Sequence, residues 1–154
     1  MNVVLGIDLG ARRIGIAIAD AGPLSVRPLV TLARGRDIAA DAAAIADLVR
    51  RHDVTELVVG LPLEAAGQEG PQAALTRAWV DGLSAILGDG VRSTFQDERL
   101  TSHLAEQRLG PMRRGRSGGP PTRHQRDDYR ARVDREAAAI ILQDALDART
   151  ETHP

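Results

Sequence analysis

Apolar and polar positions alternate through residues 3–19, VVLGIDLGARRIGIAIA, in two runs separated by the Gly10 to Arg13 segment. A period of two predicts two β-strands joined by a tight turn, with Leu5, Ile7, Leu9, Ile14, Ile16 and Ile18 on one face. The opposite face carries Gly6, Asp8, Gly15, Ala17 and Ala19, so it is nearly bare and Asp8 is the one charge on it. A bare face lets another element approach the sheet closely. An Asp at a strand end commonly hydrogen-bonds the following turn, but a carboxylate at the carboxyl end of a central strand also lies where open α/β sheets place their ligands.

The pattern continues with an apolar run at 26–32, where Pro28 predicts an edge strand. Asp37 caps a helix whose Ile38, Ala42, Ile45, Leu48 and Val49 recur at helical spacing, with Asp41 early and Arg50 and Arg51 late to suit the dipole. The continuous apolar run 57–60 predicts a strand buried on both faces and parallel to the first. A Gly-bearing loop, 61–70, leads to a helix opened by Pro71 and stopped at Gly88, with a stripe of Leu75, Ala78, Leu83, Ile86 and Leu87, and with Trp79 as packing. A fifth strand spans 91–95, and Thr101 caps a short helix that Gly110 and Pro111 end. Residues 111–128 read as a mobile Arg/Gly/Pro loop, and the last helix as roughly 129–148.

A three-strand meander followed by two helical crossovers and a terminal helix is a ribonuclease H-like α/β arrangement. The right-handed crossover rule gives a five-stranded mixed sheet of order 3-2-1-4-5, flanked by helices, in a single domain over residues 1–150.

Composition narrows the chemistry. With no cysteine among 154 residues, a metal site must use carboxylates or histidines, which suits hard cations such as magnesium or manganese. The opening MNVVLG lacks a signal-peptide pattern and no apolar run is long enough for a membrane span, so a cytoplasmic protein with no membrane partner is expected. The net charge of −1 hides an asymmetry: between residues 110 and 135 eight arginines stand against three aspartates. With one Phe, one Tyr and one Trp there is no aromatic platform for stacking bases, so any nucleic acid would be held by its phosphates.

In the last helix Asp134 falls in line with Ala138, Ile141 and Ala145, inside the apolar stripe. A carboxylate there needs a partner: a salt bridge to Arg130 or another neighbouring arginine, or a shared cation. Docking of the Ala-rich face on the bare side of the first two strands brings Asp134 towards Asp8. Glu98, just after the fifth strand, joins them at the same sheet edge, and of Asp97 and Glu98 only one enters the site. Asp8, Glu98 and Asp134 are thus the candidate catalytic and metal-ligating residues, and the expected chemistry is metal-dependent phosphodiester hydrolysis. Arg12 and Arg13 beside Asp8, Arg99 beside Glu98, and the loop residues Arg113, Arg114 and Arg116 are the candidate substrate-binding residues. His103 reads as ordinary surface.

The motifs GIDLGARRIGIAIAD, LVVGLP with EGPQA after it, DERLTS and DREAAAIILQ, in this order, resemble the YqgF/RuvX family of pre-16S ribosomal RNA nucleases related to Holliday-junction resolvases. The resemblance runs from Val3 to Leu146, and Ala11 stands where the family often has Thr. It implies a ribonuclease H-like fold and a magnesium- or manganese-dependent nuclease that processes the 5′ end of pre-16S ribosomal RNA, with Asp8, Glu98 and Asp134 as the acidic positions. The alternatives are a resolvase-like or general DNA nuclease and a non-catalytic RNA-binding ribosome-assembly factor. A monomer or a homodimer fits equally.

Overall fold

The computed structural model describes residues 2–98, 101–115 and 117–152. The chain forms β1 (Val3–Leu9), β2 (Arg13–Ala19), β3 (Arg27–Ala33), α1 (Ile38–His52), β4 (Val54–Pro62), α2 (Pro71–Leu87), β5 (Arg92–Glu98), α3 (Thr101–Leu109) and α4 (Arg123–Thr152). The five strands make one sheet of order β3-β2-β1-β4-β5, as the alternation and the crossover rule lead one to expect. β1, β4 and β5 are parallel; β2 runs antiparallel to β1, and β3, antiparallel to β2, runs the same way as β1.

Alternation divides the sheet into two faces with different jobs. Leu5, Ile7, Ile14, Ile16, Ile18, Leu57 and Val59 pack against Ala42, Ile45 and Leu48 of α1 and Trp79, Val80 and Leu83 of α2. Val4, Ala17, Ala19 and Val58 pack on the other side against Ala138, Ile141, Leu142, Ala145 and Leu146 of α4. Two glycines allow that second contact to be close: a Cβ built on Gly15 would lie 2.0 Å from the carbonyl oxygen of Asp134, and one on Gly6 would lie 2.7 Å from that of Ala138. The bare face is therefore a backbone-to-backbone docking surface for the last helix. A second face of α4, with Val133, Ala137 and Ile140, packs against Ala105 of α3, so the middle of this helix is apolar nearly all round.

Three local expectations change. The buried face of α2 is Ala73, Thr76, Trp79, Val80 and Leu83, while Leu75 and Ile86 are 63% and 51% exposed. The helix is turned from the expected stripe because Trp79 Nε1 donates to Asp41 Oδ2 at 3.1 Å, which fixes its rotation. Asp41 is itself no dipole-compensating surface residue. It is 2% exposed and also accepts from Arg34 Nε at 2.9 Å and from the Gly35 amide at 2.7 Å.

The last helix starts at Arg123, six residues before the expected position, and the expected mobile loop 111–128 shrinks accordingly. The cause is a reciprocal cap. The Gln125 amide donates to Thr122 Oγ1 at 3.1 Å and the Thr122 amide donates to Gln125 Oε1 at 2.8 Å. Thr101 begins α3, and its hydroxyl is directed to Glu98. No helix among the described residues is long and apolar enough to cross a membrane.

Candidate active site

The carboxyl ends of β1, β4 and β5 lie together because the strands are parallel and in register, with Ile7 opposite Val59 and Pro62 opposite Glu98. Asp8 is the residue of β1 that follows Ile7 and faces α4. Glu98 ends β5 on the same face, with Oε2 only 2.6 Å from where a Cβ on Gly60 would stand. A side chain at position 60 would displace it, so Gly60 is the notch through which Glu98 reaches across β4. Thr101 donates its hydroxyl to Glu98 Oε1 at 2.8 Å and fixes the other end of the carboxylate. Asp97, its neighbour, points to the opposite face and is exposed.

Asp8 and Glu98 hydrogen-bond each other through their side chains. Burial, then the negative charge of Glu98, push the Asp8 carboxyl up to about 9, with Asp134 adding to the same effect. At neutral pH Asp8 keeps its proton and faces Glu98 with it. Two carboxyl groups facing each other in a cleft are all-oxygen donors short of a cation, and they suit a hard divalent ion in place of that proton.

Asp134 enters the site from α4 but its charge is already engaged. Arg13, the first residue of β2, lies on the α4 side of the sheet with Gly15 and Ala17, and its Nε donates to Asp134 Oδ2 at 2.5 Å. The two side chains are 28% and 22% exposed. The salt-bridge alternative for Asp134 is thus realised, with Arg13 as the partner. Among the described residues no three His, Cys, Asp or Glu side chains are grouped so as to hold a metal ion. Asp8 and Glu98 provide two carboxylates, and Asp134 becomes a third only when Arg13 lets it go.

Of the other candidates, Arg12 is exposed in the β1–β2 turn next to Arg13. Arg113 lines a separate groove with Gln125, Asp128, Tyr129 and Arg132, and Arg114 donates to Gly118 O of its own loop at 3.4 Å. Arg99 and Arg116 lie outside the described residues. His103 is exposed, and its side chain meets Gln107 at 3.1 Å.

A residue that sequence reasoning missed is Arg34. It donates from Nη1 to Gly10 O at 2.8 Å and from its backbone amide to Arg12 O at 2.9 Å. Through its ion pair with the buried Asp41 it ties the turn that carries Arg12 and Arg13 to α1. No spacing in the sequence announces this, because the partners come from the β1–β2 turn and from α1.

Comparison with known proteins bears on the fold and the family. A Thermus thermophilus RuvC solved in complex with a Holliday junction substrate is similar in fold, with a TM-score of 0.51 over 97% of both chains at 17% identity. The sheet order and this likeness define a ribonuclease H-like α/β protein. The sequence goes further: residues 2–148 match the model of the RuvX family, described as Holliday junction resolvase. A protein of Anaeromyxobacter dehalogenans (strain 2CP-C) named "Putative pre-16S rRNA nuclease" is 47% identical over 145 residues, 94% of this chain and 96% of its own. One of Chloroflexus aggregans (strain MD-66 / DSM 9485) with the same name is 43% identical over 148 residues, 96% of this chain and 95% of its own. The chain belongs to the RuvX family.

Proposed function

We propose that this chain is a divalent-metal-dependent nuclease that hydrolyses phosphodiester bonds of the ribosomal RNA precursor and processes the 5′ end of pre-16S RNA. The observation that carries the proposal is the convergence of Asp8 and Glu98 at the carboxyl ends of adjacent parallel strands, with Asp134 of α4 held at the same face by Arg13. The names of the relatives support the choice of substrate class.

Magnesium or manganese, held by Asp8 and Glu98, would supply Lewis acidity towards a phosphoryl oxygen and acidify water for attack. The chain's own contributions follow from the geometry. Asp8 gives up its proton, Thr101 keeps Glu98 aimed through the notch at Gly60, and Asp134 completes the acidic set when Arg13 turns to substrate. Arg13, released from Asp134, is placed to pair with a phosphate at the scissile position, where a planar guanidinium fork suits the oxygens.

The family description favours a second reading, cleavage of a branched DNA junction. One experiment separates the two. Purified protein is offered a pre-16S RNA fragment, single-stranded DNA and a four-way DNA junction, each with manganese, magnesium or EDTA. Metal-dependent cleavage of the RNA alone is expected. Junction cleavage without RNA cleavage replaces the proposal with the second reading, and binding without cleavage of any substrate leaves a non-catalytic RNA-binding factor.

A further inference from the structure

Beside the acidic pair, the β1–β2 turn and the first two turns of α4 enclose a groove of about 380 Å³ lined by Arg12, Arg13, Arg123, Arg126, Asp127 and Arg130. Five of these six side chains are cationic. The four from α4 recur at steps of three and four residues, so they form one face of the helix. That face is not there for packing: Arg12, Arg123, Arg126 and Arg130 are all exposed.

Nor is their charge compensated within the protein. Arg126 donates to Pro121 O at 2.8 Å and Arg13 to Asp134. Among the described residues the side chains of Arg12, Arg123 and Arg130 have no ion-pair or hydrogen-bond partner. Guanidinium groups gathered at helical spacing repel one another, which costs stability unless an anion is expected between them. With Arg13 paired to Asp134, Asp127 alone cannot neutralise the other four.

We propose that this groove is a phosphate cradle that grips the backbone of a nucleic acid strand next to the bond to be cut. The inference rests on the nuclease reading for what happens at the bond, and on the groove alone for the grip. Arg13 joins the two regions, since it lines the groove and contacts Asp134. A strand whose phosphate pairs with Arg13 therefore enters beside the carboxylates. The groove has no aromatic side chain, so it reads backbone charge and leaves bases free. The footprint sits on the start of α4, while Arg113 and Arg114 of the preceding loop turn to another groove and to their own backbone.

The test is binding, read by fluorescence anisotropy in EDTA so that nothing is cut. The probes are a fluorescein-labelled RNA hairpin with a single-stranded 5′ extension and a labelled four-way DNA junction, over a salt series. The Arg123→Ala, Arg126→Ala, Arg130→Ala triple variant is expected to bind RNA at least about tenfold more weakly, with a log affinity against log salt slope shallower by about 2. The corresponding triple Lys variant keeps the slope, because the charges remain. Arg113→Ala with Arg114→Ala is expected to change neither quantity.

An Ala triple variant that binds like the parent overturns the cradle, as does a loss carried by the Arg113 and Arg114 pair or a parent protein that binds neither probe. Loss of affinity for the junction but not for RNA overturns it as an RNA cradle. The nuclease reading fails separately. A parent protein that binds through the groove yet cleaves nothing with manganese or magnesium keeps the cradle and loses the nuclease.

Discussion

Arg13 Nε lies 2.5 Å from Asp134 Oδ2, an ion pair that joins the start of β2 to α4 across 121 residues of sequence. It fills with a guanidinium the place where the sequence pattern expects a shared metal. Arg13 is therefore a competing cation for the third carboxylate, and a charge-assisted hydrogen bond of this kind contributes about 1.5–3 kcal/mol. Arg13→Gln removes the competitor. Manganese binding to the nucleic-acid-free variant, followed by isothermal titration calorimetry, is expected to tighten roughly tenfold or more. Unchanged or weaker binding would mean that Arg13 does not contend with the ion for Asp134.

The Asp8 and Glu98 pair makes the metal-free protein sensitive to alkali. Asp8 keeps its proton in the folded state up to about pH 9, but its ordinary value is 3.8. Between these limits the folded state binds more protons than the unfolded chain, so stability falls as pH rises through that window. Asp8→Asn removes the titrating group. Thermal melts in EDTA are expected to show the variant melting several degrees above the parent at pH 8, with the gap closing towards pH 4. A variant that melts below the parent at pH 8 contradicts a strained, proton-holding Asp8.

The docking of α4 on the sheet depends on the absence of a side chain at position 15. A Cβ there would stand 2.0 Å from the Asp134 carbonyl oxygen, which is backbone and has no rotamer to escape into. Gly15→Ala is expected to cost about 1–3 kcal/mol or more in urea denaturation and to depress nuclease activity, because the same contact sets the height of Asp134. Parental stability in this variant would show that the helix can slide without loss.

At the other end of the sheet, Glu56 is 2% exposed and bonds Arg149 of α4, Arg92 and Thr94. Burial works against its charge, but Arg149 first and then Arg92 and Thr94 outweigh it and hold its carboxyl below the ordinary 4.5. Its contribution to stability is complete above 4.5 and is lost as pH falls through the lower folded value. Arg149→Ala is expected to cost about 1–3 kcal/mol at pH 7, less than a fully buried pair would, since Arg149 is 41% exposed and Arg92 remains. Denaturation across pH 3 to 7 should show that loss shrinking at the acid end. A loss that is constant with pH would remove the ion pair as its cause.

Much of this was legible from periodicity. The bulky and bare faces of β1 and β2, the edge position of β3, the sheet order, and the approach of Asp134 and Glu98 to Asp8 all follow from steps of two along strands and of 100° around a helix. Arg13 on the α4 face follows from the same alternation, since it stands two residues before Gly15. The turn's Arg-Arg pair suggests substrate before it suggests a carboxylate, and that masked the ion pair.

What local pattern cannot carry is contact between distant elements. Asp41 looks like a dipole-compensating residue because its partners Arg34 and Trp79 are joined to it only by the fold, and the rotation of α2 is set by that same contact. The start of α4 was hidden for a different reason. The Arg, Gly and Pro content of the preceding loop outweighs the single cue of Thr122 and Gln125, which is sufficient to begin a helix.

In the proposed mechanism Asp8, Glu98 and Asp134 act together on a phosphodiester bond. The most direct measurement is the initial rate of pre-16S RNA cleavage in manganese for the parent, Asp8→Asn, Glu98→Gln and Asp134→Asn, each checked for folding by circular dichroism. Each variant is expected to lose about a hundredfold or more of the parent's rate while keeping its fold. Parental cleavage by a folded Asp8→Asn, Glu98→Gln or Asp134→Asn protein would show that the three carboxylates do not act as one set.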